Sequence, residues 1–199
     1  MNEDSLWKAV HRMDAAADSL AQAAATIGWR AQREPAMSRL LYWLSGLLPC
    51  RIISDNGNPY LERYYVGTAV GVRFYLHRFV GSDPTRGLHD HPWPWARSLA
   101  LSGWYYEQLR TGTRKVRWFN RLSGDTFHRV ILGRGHCWTL FWHRAQYVKP
   151  WGFLRSVKGD TALMWAPHNH PQDGSGTPGA WWQTVPRGKS EPHRVPRHG

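Results

Sequence analysis

Two histidines two residues apart, His89 and His91 in Gly87-Leu88-His89-Asp90-His91-Pro92-Trp93, offer the chain's clearest opportunity for chemistry. On an extended strand, side chains alternate between faces, so residues two apart point the same way. Two imidazoles on one inward face can bind one metal ion, and a third ligand then has to come from another strand. His128 meets that need: it follows the Gly124-Asp125 turn and opens the apolar run His128-Arg129-Val130-Ile131-Leu132. Three neutral imidazoles leave a divalent ion its full charge and open positions for water, substrate or dioxygen. Fe(II) in such a site suits dioxygen chemistry, whereas Zn(II) would polarise a carbonyl or water. Mn and Ni are further candidates.

Other residue types around this group could take part. Arg78, Arg97 and Arg129 adjoin the histidine segments, and an inward guanidinium would bind a substrate carboxylate or phosphate through paired hydrogen bonds. Tyr106 and Glu107 follow Gly103, and alternation places only one of them inside. Tyr106 would donate a proton to a bound oxygen; Glu107 would be a fourth ligand. Of these, Arg97 and Tyr106 are taken as the substrate-orienting pair. Asp90 points away from its neighbours on a regular strand and can support a ligand from behind. His77 reads as a core or face histidine, and His136 and His143 as solvent-facing. Trp93, Trp95, Trp104, Trp118, Trp138 and Trp142 are expected to fill the core and the pocket wall.

The elements that must position these groups are mostly strands. From residue 51, short segments rich in Val, Ile, Tyr, Phe and Trp alternate with Gly, Pro, Asn and Asp breaks: 60–67, 71–79, 97–102, 104–109, 115–119, 128–132, 137–143 and 161–165. Such spacing predicts a barrel or sandwich, with too few helical segments for a parallel α/β sheet. Residues 4–26 and 37–48 predict two helices, the second ending before Pro49. The second carries Met37, Leu40, Leu41, Trp43, Leu44, Leu47 and Leu48, too much apolar surface to leave in water, so it should pack on the sheet or on a second subunit. Residues 1–183 form one domain in this reading (1–49 helical, 50–167 barrel), and 184–199 form a flexible basic tail with little apolar content to bury.

The order His-x-His, then a strand ending in Gly103, then Gly124-(x)3-His128 resembles the two metal motifs of the cupin superfamily. The resemblance covers roughly residues 70–145. It implies a mainly β fold, a double-stranded β-helix or jelly-roll barrel, with the metal inside one open end beside a substrate pocket. His89, His91 and His128 match the family's histidines, and Gly103 matches the glycine closing the first motif. The stretch around Gly87–Trp93 is also similar to cupin-like proteins of phages and bacteria. Two positions depart from the pattern. Trp95, Ala96 and Arg97 stand where many cupins place a glutamate ligand, and three residues rather than two separate Gly124 from His128. The site is thereby similar to the three-histidine cupins of the thiol dioxygenase type. Glu107 lies beyond the usual ligand position, so its change to Gln is expected to leave metal affinity unaltered.

Composition bounds the rest. The chain has 199 residues, 42% of them hydrophobic, with a mean hydropathy of −0.56, the balance of a globular protein. It lacks an apolar run long enough for a transmembrane helix and begins without the pattern of a secretory signal. Two cysteines, Cys50 and Cys137, predict a reducing compartment, hence the cytoplasm. The net charge of +12 and thirteen tryptophans are compatible with weak nucleic-acid contact, although the basic residues are scattered. The expectation is an Fe(II) dioxygenase of the cupin type acting on a small or anionic substrate, without a membrane partner and with a homodimer as an option. The competing reading is a non-catalytic metal- or ligand-binding module, or an accessory protein of nucleic acid.

Overall fold

The structure is a computed structural model that describes residues 35–133, 135–156, 163–168 and 180–197. The helix expected at 4–26 lies outside these residues. The second expected helix is α1 (Ala36–Ser45), which starts behind Pro35 and ends one turn before Pro49. Among the described residues it is the one α-helix, and none is long and apolar enough to cross a membrane.

The chain then forms β1 (Cys50–Asp55), β2 (Asn58–Ala69), β3 (Val72–Phe79), β4 (Leu88–His89), β5 (Trp95–Ser102) and β6 (Tyr105–Leu109). It continues through β7 (Gly112–Val116), β8 (Phe119–Ser123), β9 (His128–Leu132), β10 (Cys137–Arg144), β11 (Gly152–Ser156) and β12 (Leu163–Pro167). These make two six-stranded sheets, ordered β1-β2-β3-β10-β5-β8 and β12-β11-β4-β9-β6-β7. Their pairings are antiparallel. The β1–β2 hairpin turns through Asn56-Gly57, both at positive φ (48° and 81°), as a two-residue hairpin requires.

The mainly β reading holds, with one correction. Among the described residues no ladder joins the edges of one sheet to those of the other, so the strands form two layers and not a closed barrel. The core lies between the layers. Leu61, Phe79 and Cys137 from the first sheet meet Tyr105, Val116 and Val130 from the second. Gly103 is a corner and not a hairpin turn: the chain there leaves β5 in the first sheet for β6 in the second. Its φ is +80°, and a Cβ would lie 2.6 Å from the His136 carbonyl oxygen, so only glycine fits.

The outer surface of the first sheet is covered at one end. Leu41 of α1 packs with Cys50, Tyr64, Leu76 and Trp138. The opposite side of the helix leaves Met37, Leu40, Trp43 and Leu44 exposed, with Leu47 just beyond it, so it buries one stripe and not its whole apolar surface. Both cysteines are buried free thiols, and burial pushes each up to about 12.

Residues 184–197 also differ from the expectation of a free tail. Pro186 accepts the Cys50 N–H (2.9 Å). Arg78, 1% exposed and paired with the buried Glu62 at 3.3 Å, donates to the carbonyls of Val195 (2.7 Å) and Pro196 (2.9 Å). The Val195 N–H donates to Glu62 Oε1 (2.7 Å), and Arg194 Nε donates to the Tyr64 hydroxyl (2.9 Å). The segment is held through its backbone, which apolar content does not measure. Arg78, which also bonds His136 Nδ1 (2.7 Å), is thereby committed to this contact and does not face His89, His91 or His128.

Deleting 184–199 should therefore remove several buried hydrogen bonds worth about 1 kcal/mol each. The melting temperature should fall by roughly 5 °C or more for a chain of this length. A thermal scan in which the truncated chain melts with the full one would contradict the docking.

Candidate metal centre

Register brings the histidines together. His89 on β4 lies directly opposite His128 on β9, and their ring centroids are 4.8 Å apart. His91 lies just beyond β4, where its N–H donates to the Gly124 carbonyl (3.1 Å). Gly124 is squeezed there: a Cβ would sit 2.3 Å from the Trp93 carbonyl oxygen. The Ser123–Thr126 turn, closed by the Thr126 N–H on the Ser123 carbonyl (3.1 Å), absorbs the extra residue before His128. One ligand atom from each of His89, His91 and His128 falls within 4.8 Å of the others, and Nε2 of His91 and His128 are 2.8 Å apart. Burial and the neighbouring His128 hold the His89 and His91 imidazoles well below their ordinary range, so both are neutral at pH 7.

The support behind His128 is a buried carboxylate. His128 Nδ1 donates to Glu107 Oε1 (2.9 Å), which also accepts from Asn120 Nδ2 (2.7 Å). Arg114 Nε donates to Glu107 Oε2 (2.8 Å). Burial acts to raise the Glu107 carboxyl, but the His128 hydrogen bond and charge, with the bonds from Asn120 and Arg114, bring it below the usual range. With Nδ1 turned to Glu107, His128 points Nε2 at the cluster. A carboxylate bonded to the far nitrogen in this way fixes the orientation of a ligating imidazole. Neutral His89 and His91, joined by a third imidazole with a carboxylate behind it, fit a divalent first-row ion.

Glu107 thus stands inside as a support for His128 and not as a fourth ligand. Asp90, 2% exposed, turns away from the histidines and ties β4 to β11 by accepting the Gly152 N–H (2.6 Å) and Lys149 Nζ (2.8 Å). Tyr106 and Arg97 do not reach the site. On β6, Tyr105 and Glu107 are buried while Tyr106 between them is exposed. On β5, Ala96 and Ser98 are buried, and Arg97 lies on the other face with its guanidinium 5.1 Å from the Trp95 ring centre. Arg129 likewise bonds Gln108 on the outer side of the second sheet. Trp118 is 73% exposed and fills no core.

The sequence did not single out Arg63, Asn120 or Arg114. Arg114 was within reach of pattern reasoning, because a hairpin turning at Arg110-Thr111 sets it opposite Glu107. Arg63 was not, because the facing of β2 depends on a register shift between Tyr65 and Gly67. A cavity of about 80 Å³ lies between the sheets, lined by the three histidines with Arg63, Trp93 and Thr139. His89 and His91 also line a larger cleft of about 660 Å³, with Arg51, Arg63, Arg86 and Trp151. Arg63 Nε donates to His77 Nε2 (3.2 Å), its one hydrogen bond among the described residues. Trp93 Nε1 and Thr139 Oγ1 are buried there without a partner among the described residues, and such groups call for a ligand or water. Trp93 is stacked between His91 (4.4 Å) and His143 (4.1 Å).

His77 is a core histidine, as expected, but His143 is 3% exposed and not solvent-facing.

Comparison with known proteins adds the following. No protein-family model matches the chain, and no curated protein matches it. Among solved structures it is similar to a cupin-2 domain protein from Rhodospirillum rubrum, with 11% identity over 66% of this chain and 84% of that one and a TM-score of 0.44. It is similar to a cupin 2 conserved barrel domain protein from Rhodopseudomonas palustris, with 11% identity over 51% and 74% of the two chains and a TM-score of 0.43. A cupin-like protein from Thermotoga maritima shares 14% identity over 49% and 77%, with a TM-score of 0.39.

Two outcomes follow. Glu107→Gln keeps an acceptor for His128 but loses the charge, so metal affinity should weaken about tenfold, in place of the indifference expected from sequence. Equal affinities in a competition titration with a coloured chelator would remove Glu107 from its supporting role. Burial pushes His143 from its ordinary 6.5 down to about 3, so between those values the unfolded chain binds a proton that the folded chain refuses. Stability should fall as pH drops below 6.5, by about 1.4 kcal/mol per pH unit for this group. His143→Gln should make the urea-midpoint profile shallower between pH 7 and 5, leaving the slope contributed by His77, His89, His91 and His136, which burial also holds low; an unchanged slope would contradict the assignment.

Proposed function

We propose that the chain is a metal-dependent enzyme, an Fe(II) dioxygenase of the cupin type, acting on a small anionic substrate. The observation that carries this reading is the convergence of His89, His91 and His128 on one point in a cavity beside a basic cleft. These three residues would hold the ion. Fe(II) bound there supplies one-electron chemistry toward dioxygen, with positions left open by the three-ligand set.

The chain's own residues supply the rest. Glu107 keeps the His128 proton at Nδ1 and fixes the ring's orientation. Arg51, Arg63 and Arg86 line the cleft, and they favour a carboxylate or phosphate on the substrate. Arg86 is itself steadied by Asp55 (3.4 Å) and the Tyr60 hydroxyl (3.2 Å). Trp93 Nε1 and Thr139 Oγ1 are donors free to bond an oxygen in the inner cavity. The aromatic wall of Trp93, Trp151 and Phe153 limits water near the reacting groups. Tyr106 and Arg97 have no part in this reading, because both stand on outer faces.

The test is metal content and ligand access. Protein purified without added metal should carry close to one equivalent of iron by elemental analysis. His89→Ala, His91→Ala and His128→Ala should each lose most of it while keeping the wild-type circular dichroism spectrum. Nitric oxide, a stand-in for dioxygen, should give the Fe(II)-loaded wild type a high-spin paramagnetic signal. Full metal retention in all three variants would overturn the site. One equivalent of zinc with no iron uptake would overturn the dioxygenase.

A further inference from the structure

The outer face of the first sheet, opposite the cavity, carries a second constellation. On β5 and β8, the side chains alternating with the buried Ala96, Ser98, Asn120 and Leu122 point outward. Arg121 lies directly opposite Arg97, Phe119 opposite Leu99, and Arg97 opposite Trp142 of β10. Two like charges facing each other across adjacent strands repel. A sheet normally relieves such a pair with a carboxylate. Here β5, β8 and β10 contain no Asp or Glu, and neither Arg97 nor Arg121 has an ion pair among the described residues. Arg144, at the end of β10, adds a third exposed positive charge to the same strands.

Aromatic rings stand among these charges. The Arg97 guanidinium lies 5.1 Å from the Trp95 ring centre, and that of Arg121 lies 5.3 Å from the Phe119 ring centre. Phe119 and Trp142 are 6.0 Å apart, tilted by 51°. Phe119 is 46% exposed and its neighbour Trp118 is 73% exposed, a poor place for such rings in water unless something stacks on them. The α1 contact with this sheet lies at the other end of β5, where Ser38 Oγ meets Ser102 Oγ at 2.8 Å, so the helix leaves the Trp95–Leu99 half uncovered.

We infer that this face, formed by Trp95, Arg97, Phe119, Arg121 and Trp142, is a platform for single-stranded nucleic acid. Guanidinium groups without carboxylate partners suit backbone phosphates, and exposed rings suit unpaired bases, whose faces a duplex would hide. Among the described residues no α-helix lies on this half of the sheet to enter a groove, so binding would be sequence-tolerant. The inference is independent of the metal centre, which opens between the sheets.

The test uses the full chain and fluorescently labelled 12-nucleotide oligo-dT and oligo-U, read by anisotropy from 50 to 200 mM salt. The wild type should bind both, with affinity falling linearly in log salt. Arg97→Ala/Arg121→Ala should weaken binding at least tenfold and flatten the salt slope by about 1.4, the loss of two phosphate contacts at ~0.7 each. Arg97→Lys/Arg121→Lys should retain most of the affinity, which separates charge from misfolding. Phe119→Ala should weaken binding about fivefold or more with the slope unchanged. Arg110→Ala/Arg129→Ala removes equal charge from the second sheet and should bind as wild type. The platform is overturned if the wild type fails to bind at 50 mM salt, or if that control loses as much as the Arg97/Arg121 variant. It is equally overturned if duplex DNA binds as tightly, or if phosphatidylserine vesicles bind and the oligonucleotides do not.

Discussion

A hydrogen bond between two buried groups, Glu107 Oε1 and His128 Nδ1, fixes the centre of this protein. Glu107 has no solvent exposure, so it stays charged only because His128, Asn120 and Arg114 all donate to it. In return it decides which nitrogen of His128 keeps a proton and which turns to the cavity. The pairing of β9 with β4 then places His89 across from that nitrogen, and the Gly124 carbonyl draws His91 in beside them. Remove the carboxylate and the three rings still share a pocket, but nothing holds their tautomers in agreement.

Strand alternation divides the molecule's chemistry between two surfaces. The inward side chains of the first sheet, such as Arg63, His77, Ser98 and Thr139, reach the cavity. The outward ones on β5, β8 and β10 build the basic aromatic face. Arg97 belongs to this second set, which makes its charge useful to a partner outside the fold and useless to a substrate within it. At the other end of the same sheet, Arg78 is consumed in holding the carbonyls of Val195 and Pro196. Three arginines of one sheet, Arg63, Arg78 and Arg97, thus have three different fates, set by facing and by position along the sheet.

The same rule explains what could be read from the sequence. His89, His91 and His128 were legible because their spacing relative to glycines constrains both strand position and facing. β1 was not among the expected strands, although Asn56-Gly57 is the signature of the two-residue turn that joins it to β2. Facing after Gly103 was not legible, because the chain changes sheets there, and a one-residue difference in where β6 begins exchanges Tyr106 for Glu107. The docking of residues 184–197 was illegible for another reason: backbone carbonyls and N–H groups supply the contacts, and every sequence has those. The closed barrel failed because closure depends on edge pairing between distant strands, which local patterns do not encode.

The central claim is that three imidazoles converge on one divalent ion with a carboxylate behind one of them and none among the ligands. X-ray absorption spectroscopy of the protein loaded with one equivalent of Fe(II) addresses this most directly. The account predicts a first shell whose outer scattering fits three imidazole rings, falling to two in His128→Ala. A first shell with one imidazole or none, or one unaltered in His128→Ala, would contradict it.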